Sequence, residues 1–117
     1  MSTQEIADRL VALCRIGQYD EAYKELFADD AVSIEPEFTQ QPPVKGLDNL
    51  LAKSAQFATM FKELHDSSVS APIVAGNCFA CTMMIDTTNH EDVRSKMEEI
   101  CLYHVKDGKI ISEQFFF

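Results

Sequence analysis

Basic residues are scarce in this 117-residue chain. Ten lysines and arginines stand against nineteen aspartates and glutamates, for a formal charge of −9 and a pI near 4.6. That balance repels phosphate backbones and anionic membrane surfaces, and no stripe of Lys or Arg offsets it. Neither a nucleic acid nor a membrane is expected as a partner. Nor does any apolar run approach the ~20 residues that a membrane-spanning helix needs. Met1-Ser-Thr-Gln-Glu5 carries no basic stretch leading into an apolar one, so no secretory signal is visible and a reducing, cytoplasmic setting is expected. Linkers, low-complexity tracts and internal repeats are also missing, which leaves one domain over residues 1–117. The four cysteines of such a chain are expected as buried thiols rather than disulfides.

Cys78-Phe-Ala-Cys81 has the C-x-x-C spacing of zinc and redox sites. Its neighbours Phe79, Thr82, Met83, Ile85, Thr87 and Thr88 read as a strand, however, and residues three apart on a strand point to opposite faces. No second Cys/His pair lies nearby. The three histidines share no local pattern: His65 follows the long helical run, His90 sits in a polar connection, and His104 lies in a strand. No metal ligands and no cofactor are expected.

What the chain does contain is 46% hydrophobic residues, enough for one ordinary core. Ser2-Thr-Gln-Glu5 fits a capping box. Ile6, Leu10, Leu13 and Cys14 then recur at helical spacing, and Gly17 marks the stop of a helix over about 3–16. Asp20 is expected to cap a second, short helix carrying Ala22, Tyr23, Leu26 and Phe27. Ala31–Pro36 reads as a short strand, and Pro42-Pro43 lies in a loop over 37–45. From Gly46, the positions Leu47, Leu50, Leu51, Ser54, Phe57, Ala58, Phe61 and Leu64 trace one face of a long helix. Val69–Val74 is strand-like, with Pro72 demoting it to an edge or a bulge. Gly76-Asn77 turns into a strand over 78–88, and strands of about 96–106 and 109–117 close the chain. Asp107-Gly108 between them is a strong signal for a two-residue hairpin turn. Helices followed by an antiparallel meander imply an α+β fold with a curved sheet wrapping the long helix.

Leu26-Phe-Ala-Asp-Asp-Ala-Val-Ser-Ile-Glu-Pro36, Val44-Lys-Gly-Leu-Asp-Asn-Leu-Leu51 and the closing Asp107-Gly-Lys-Ile110 to Phe115-Phe-Phe117 resemble the nuclear transport factor 2-like superfamily, also called SnoaL-like or ketosteroid-isomerase-like. The resemblance spans the whole chain. It implies a cone-shaped barrel of curved, mainly antiparallel sheet with two N-terminal helices, a pocket on the concave face, and dimerisation through the outer face. It also implies that a carboxylate before the strand-ending proline is the general base of the isomerases, a position that Glu35 holds. The oxyanion donors of those enzymes fall on Leu10 and Cys101 here; leucine has no hydrogen to donate and a thiol is a weak donor. Isomerisation by that route is disfavoured, and a fold of this kind does not by itself name an activity.

Strand alternation supplies the remaining candidates. If Cys101 faces the pocket, so do Glu99, Tyr103 and Val105, and the matching register of the last strand turns Ile111, Glu113, Phe115 and Phe117 inward. Glu35, Glu113 and Tyr103 are then the catalytic candidates, and Leu10, Phe57, Glu99, Cys101, Phe115 and Phe117 the ligand-binding ones. An apolar cavity with a few convergent polar groups is the usual form of a small-molecule site. Simple alternation also offers the opposite reading, in which Val32 and Ile34 form the buried face and Ser33 and Glu35 look to solvent. The other face of the closing hairpin carries Ile100, Leu102, His104, Gln114 and Phe116, together with Ile110 and Ser112. Such an apolar patch is expected at a homodimer interface. Three functions stay open: a binding protein for a small, partly apolar molecule; an isomerase, cyclase or dehydratase with a pocket carboxylate as base; and a non-catalytic dimeric interaction module.

Overall fold

A capping box starts the first helix. Glu5 N–H donates to Ser2 Oγ at 3.1 Å and Ser2 N–H donates to Glu5 Oε1 at 2.9 Å, an arrangement that stabilises a helix by about 1 kcal/mol. The computed structural model describes every residue from Met1 to Phe117. Helix α1 runs Thr3–Arg15 and ends where Gly17 takes φ +74°, a left-handed conformation that costs glycine least. Helix α2, Tyr19–Leu26, begins after Gln18, so Asp20 lies inside its first turn instead of capping it. An acidic residue there still favours the helix dipole.

Strand β1 covers Phe27–Ile34, starting four residues earlier than alternation alone suggests. A 3₁₀ turn, Glu37–Thr39, and a two-residue strand β2, Val44–Lys45, occupy the expected loop. Helix α3 spans Leu47–Ala58 and stops there. The helical spacing seen through Leu64 is overridden: Phe61–Val69 forms strand β3, and Leu64 is exposed. The reason is long-range, since β3 pairs from Phe61 to Val69 with the strand over Cys78–Asn89, and a ladder of that length outweighs local propensity. Pro72 divides the next run, leaving Ser70–Pro72 outside regular structure before β4, Ile73–Ala75. Then follow β5, Cys78–Asn89; β6, Arg94–Lys106; and β7, Lys109–Phe116. Asp107 and Gly108 both take positive φ, 53° and 76°, as a type I′ turn requires.

The sheet order is β2-β1-β7-β6-β5-β3, with β4 paired to β5. All neighbours are antiparallel except β1 and β7, which run parallel. The fold is therefore α+β, with three helices on a curved sheet that does not close. Eighteen buried residues make one core, and α1 supplies six of them: Ile6, Ala7, Leu10, Val11, Leu13 and Cys14. Helix α3 supplies only Leu50, so the most enclosed helix is α1. No helix is long and apolar enough to cross a membrane.

Candidate functional site

Two rows of side chains cross the concave face. The first joins Ser33, Glu113, Tyr103 and Phe79, which are register partners across β1, β7, β6 and β5 and are all buried. The second runs through Phe115, Cys101 and Cys81, and Glu99 continues the inward face of β6 beyond it. A register slip between His104 and Val105 pairs Val105 with Ile110. Ile110 is thereby turned into the core at 0% exposure, while Ile111 is only half-buried. Alternation without the slip has these two residues the other way round.

Glu113 is the unusual member of the first row, a carboxyl that is only 2% exposed. Tyr23 Oη, on α2, donates to its Oε1 at 2.7 Å, and Ser33 supplies a second hydrogen bond. Burial is the largest influence and pushes the Glu113 pKa up to about 7. The Tyr23 and Ser33 bonds and the Lys53 charge pull it down, and Glu35 pushes it up again. The Tyr23 hydroxyl is itself raised well above its ordinary value, first by burial and then by the charge of Glu113. A carboxyl held near neutrality can exist in either protonation state at pH 7, as general acid–base chemistry requires.

From Glu113 the polar contacts lead outward. Lys53 Nζ, on α3, donates to Ser33 Oγ at 2.8 Å and pairs with Glu35 Oε1 at 2.5 Å, and it lies 5.3 Å from the centre of the Phe115 ring. Tyr23, Glu113, Ser33, Lys53 and Glu35 therefore form one continuous chain from the core to a partly exposed rim. Ser33 and Glu35 face inward, so the solvent-facing alternative for them does not hold; Val32 and Ile34 are the half-buried residues of the other face. Glu99 sits at the same rim, half-buried, accepting a hydrogen bond from Cys101 Sγ at 3.6 Å. Its pKa is raised chiefly by burial, with Glu35 adding to the rise.

The other candidates fall elsewhere. Tyr103 is 3% exposed, stacked on Phe79 at 4.8 Å between ring centres and edge-on to Phe27 at 6.3 Å. It is a core aromatic, and the tyrosine that reaches the buried acid is Tyr23. Leu10 and Cys101 are fully buried. Phe57 packs edge-on against Phe61, and Phe117 against Phe38; all but Phe61 are exposed. Tyr23 and Lys53 are the two side chains of this network that the sequence alone does not point to. The signal for Tyr23 was weak: a tyrosine on the apolar stripe of a short helix has a polar tip that needs a partner. Each histidine has its own neighbour: His65 with Thr88, His90 with the Thr59 carbonyl, His104 with Ser112.

On the outer face, Ile100 lies opposite Phe116 and Leu102 opposite Gln114, and His104 pairs with Ser112. Ile100 and Phe116 are 50% and 44% exposed. They flank an open groove of about 430 Å³ whose walls include Thr82, Met84 and Glu98. Beside it, β3 is an edge strand on which every residue from Lys62 to Ser68 is exposed.

The fold has counterparts among solved structures. A crystallised protein from Mesorhizobium loti, proposed to be a SnoaL-like polyketide cyclase, is 33% identical, with all of both chains aligned and a TM-score of 0.92. A similarly assigned protein from Jannaschia sp. CCS1 is 17% identical over 97% of this chain and 83% of its own, at a TM-score of 0.78. A protein of ketosteroid-isomerase-like fold from Catenulispora acidiphila, solved in complex with trimethylamine, is 15% identical over 99% and 87%, at 0.75. No curated protein matches the chain. The family model for the SnoaL-like domain matches residues 1–117, and the chain belongs to the SnoaL-like domain family.

Proposed function

We propose that the concave rim formed by Glu35, Lys53, Glu99 and Phe115 binds a small, partly apolar molecule. The observation that carries this reading is Lys53, whose ammonium joins Glu35 and Ser33 while lying beside the Phe115 ring. Convergent charged groups against an aromatic surface give a ligand both orientation and apolar contact. The trimethylamine bound to the Catenulispora protein is consistent with a small organic occupant for this fold.

The test uses 1-anilinonaphthalene-8-sulfonate, an aromatic anion, followed by fluorescence titration. Lys53→Met keeps the length of the side chain and removes the cation. Binding is expected to weaken about tenfold, equivalent to ~1.4 kcal/mol, while Ile100→Ser on the outer face leaves it unchanged. Equal affinity in Lys53→Met and the parent overturns the reading.

A second reading, proton-transfer catalysis on that molecule, is favoured by one observation: Glu113 is buried with a pKa pushed up to about 7 and is linked through Ser33 and Lys53 to Glu35 at the rim. Here Glu35 meets the substrate and Glu113 positions and stores the proton behind it.

The proposal extends to a homodimer through the outer face. Exposed Ile100 and Phe116 beside an uncovered edge strand form a surface of the kind that associates. Sedimentation at micromolar concentration is expected to give twice the 13.2 kDa chain mass, and Ile100→Asp to give the monomer. A monomeric parent overturns the dimer.

A further inference from the structure

We propose that Cys81 and Cys101 form a redox-modifiable dithiol that closes to a cross-strand disulfide when a hydroperoxide reaches the concave face. The two residues are direct register partners on β5 and β6. Directly opposed residues of an antiparallel pair project to the same face, and both thiols are buried there, at 3% and 0% exposure. All four cysteines are free thiols. Cys78 points away from this pair, with its Sγ 3.2 Å from the Ala75 carbonyl, and Cys14 approaches from α1, not from a paired strand. The register thus singles out one pairing.

The backbone tells what kind of disulfide would form. Thr82 directs its N–H to Ser70 Oγ at 2.8 Å and accepts from Ser70 N–H at 2.9 Å. Its neighbour Cys81 therefore directs its own backbone groups toward β6, which makes Cys81 and Cys101 a hydrogen-bonded pair. Such pairs have Cα atoms about 5.5 Å apart, inside the ~4.4–6.8 Å range of disulfides. Their Cβ atoms, also up to about 5.5 Å apart, must draw in by roughly 1 Å. The bond forms under strain, and strained disulfides are readily reduced. It is built as a reversible modification and not as a structural staple.

The chemistry has its parts in place. Cys101 donates its S–H to Glu99 at 3.6 Å and so keeps its proton, while the Cys101 thiol beside Cys81 lowers the Cys81 pKa and favours Cys81 as the thiolate. The Cys81 thiolate attacks the hydroperoxide and the O–O bond breaks. Cys81 becomes a sulfenic acid and the departing alkoxide takes a proton to leave as an alcohol. Cys101 then attacks the Cys81 sulfur, its proton passing by way of Glu99 to the departing hydroxide, which leaves as water. Two thiols and one hydroperoxide yield one disulfide, one alcohol and one water; the pair loses two electrons and the peroxide gains them. Glu99, the next inward residue of β6, is half-buried at the rim, so a small hydroperoxide can approach within two residues of the pair. Closure also removes the S–H that Glu99 accepts, which couples the redox state of the pair to the ionisation of the rim.

The full chain is treated with tert-butyl hydroperoxide, alkylated with iodoacetamide, digested without reductant and mapped by mass spectrometry. The expected product is a Cys81–Cys101 cross-linked peptide, lighter by two hydrogens and reopened by dithiothreitol. Cys101→Ser is expected to halt at oxidised Cys81. Should that variant fold poorly, Cys78→Ser, altered outside the pair, is expected to cross-link as the parent does. Oxidation confined to Cys78, a cross-link through Cys14, or full alkylation of both Cys81 and Cys101 after treatment overturns the proposal.

Discussion

Replacing Glu113 with glutamine makes the protein more stable relative to its parent at pH 8 than at pH 4.5, by roughly 3 kcal/mol. The folded carboxyl keeps its proton up to about pH 7, whereas the unfolded chain releases it near 4.5. Between those values the folded state binds more protons, so the parent loses stability as the pH rises. Below pH 4.5 both states are protonated and the group costs nothing; above pH 7 both are ionised and the whole cost of a buried charge is present. A raised pKa of about 2.5 units converts to ~3 kcal/mol at 1.36 kcal/mol per unit. Glutamine does not titrate, and its amide oxygen can still accept from Tyr23 Oη, so the variant escapes the penalty without leaving that hydroxyl unpaired. Other groups with raised values, Glu99 among them, respond alike in both proteins and cancel in the difference. Urea denaturation at the two pH values measures it. An unchanged difference between parent and variant would show that Glu113 titrates as an ordinary exposed carboxyl, contrary to its burial.

Proton exchange at an enolisable, apolar ketone is expected to depend on two glutamates in different ways. With 2-tetralone in D₂O, NMR follows loss of the proton beside the carbonyl. On the proposed catalytic reading, Glu35, at the rim and paired with Lys53, takes that proton. Glu35→Gln should lower the exchange rate by on the order of 10²-fold or more, the usual scale for removing a general base. On the same proposed reading Glu113 acts one step behind, through Ser33 and Lys53, and its signature is in the pH profile. The parent rate should rise through an inflection near pH 7, and Glu113→Gln should lose that inflection. A merely structural Glu113 would lower the rate at every pH and leave the inflection in place. Exchange no faster than in buffer, in the parent, removes the catalytic reading and leaves ligand binding standing on its own test.

Several features were legible from residues close together in the chain. The capping box at Ser2 and Glu5, the stop at Gly17, the turn at Asp107-Gly108 and the order of elements all rest on contacts within a few positions. Glu113 was legible as an anomaly, an acid whose same-face neighbours are apolar. Its partners were not. Tyr23 lies ninety positions away, and Tyr103, its register neighbour, was the nearer choice. Nothing local distinguishes a tyrosine stacked on Phe79 from one that reaches a carboxylate.

The sequence by itself determined alternation in each strand and periodicity in each helix, because side-chain direction follows from backbone geometry alone. Only the tertiary structure decided the phase of those patterns against the core. Parallel pairing of β1 with β7 set Ser33 beside Glu113, and Lys53 on α3 supplied the cation that Glu35 meets. The slip after His104 exchanged Ile111 for Ile110. Pairing with β5 drew Phe61–Val69 out of the helical pattern that ran through Leu64. In each case the deciding partner lies far along the chain or turns on a single inserted residue, and periodicity within one segment carries no record of either.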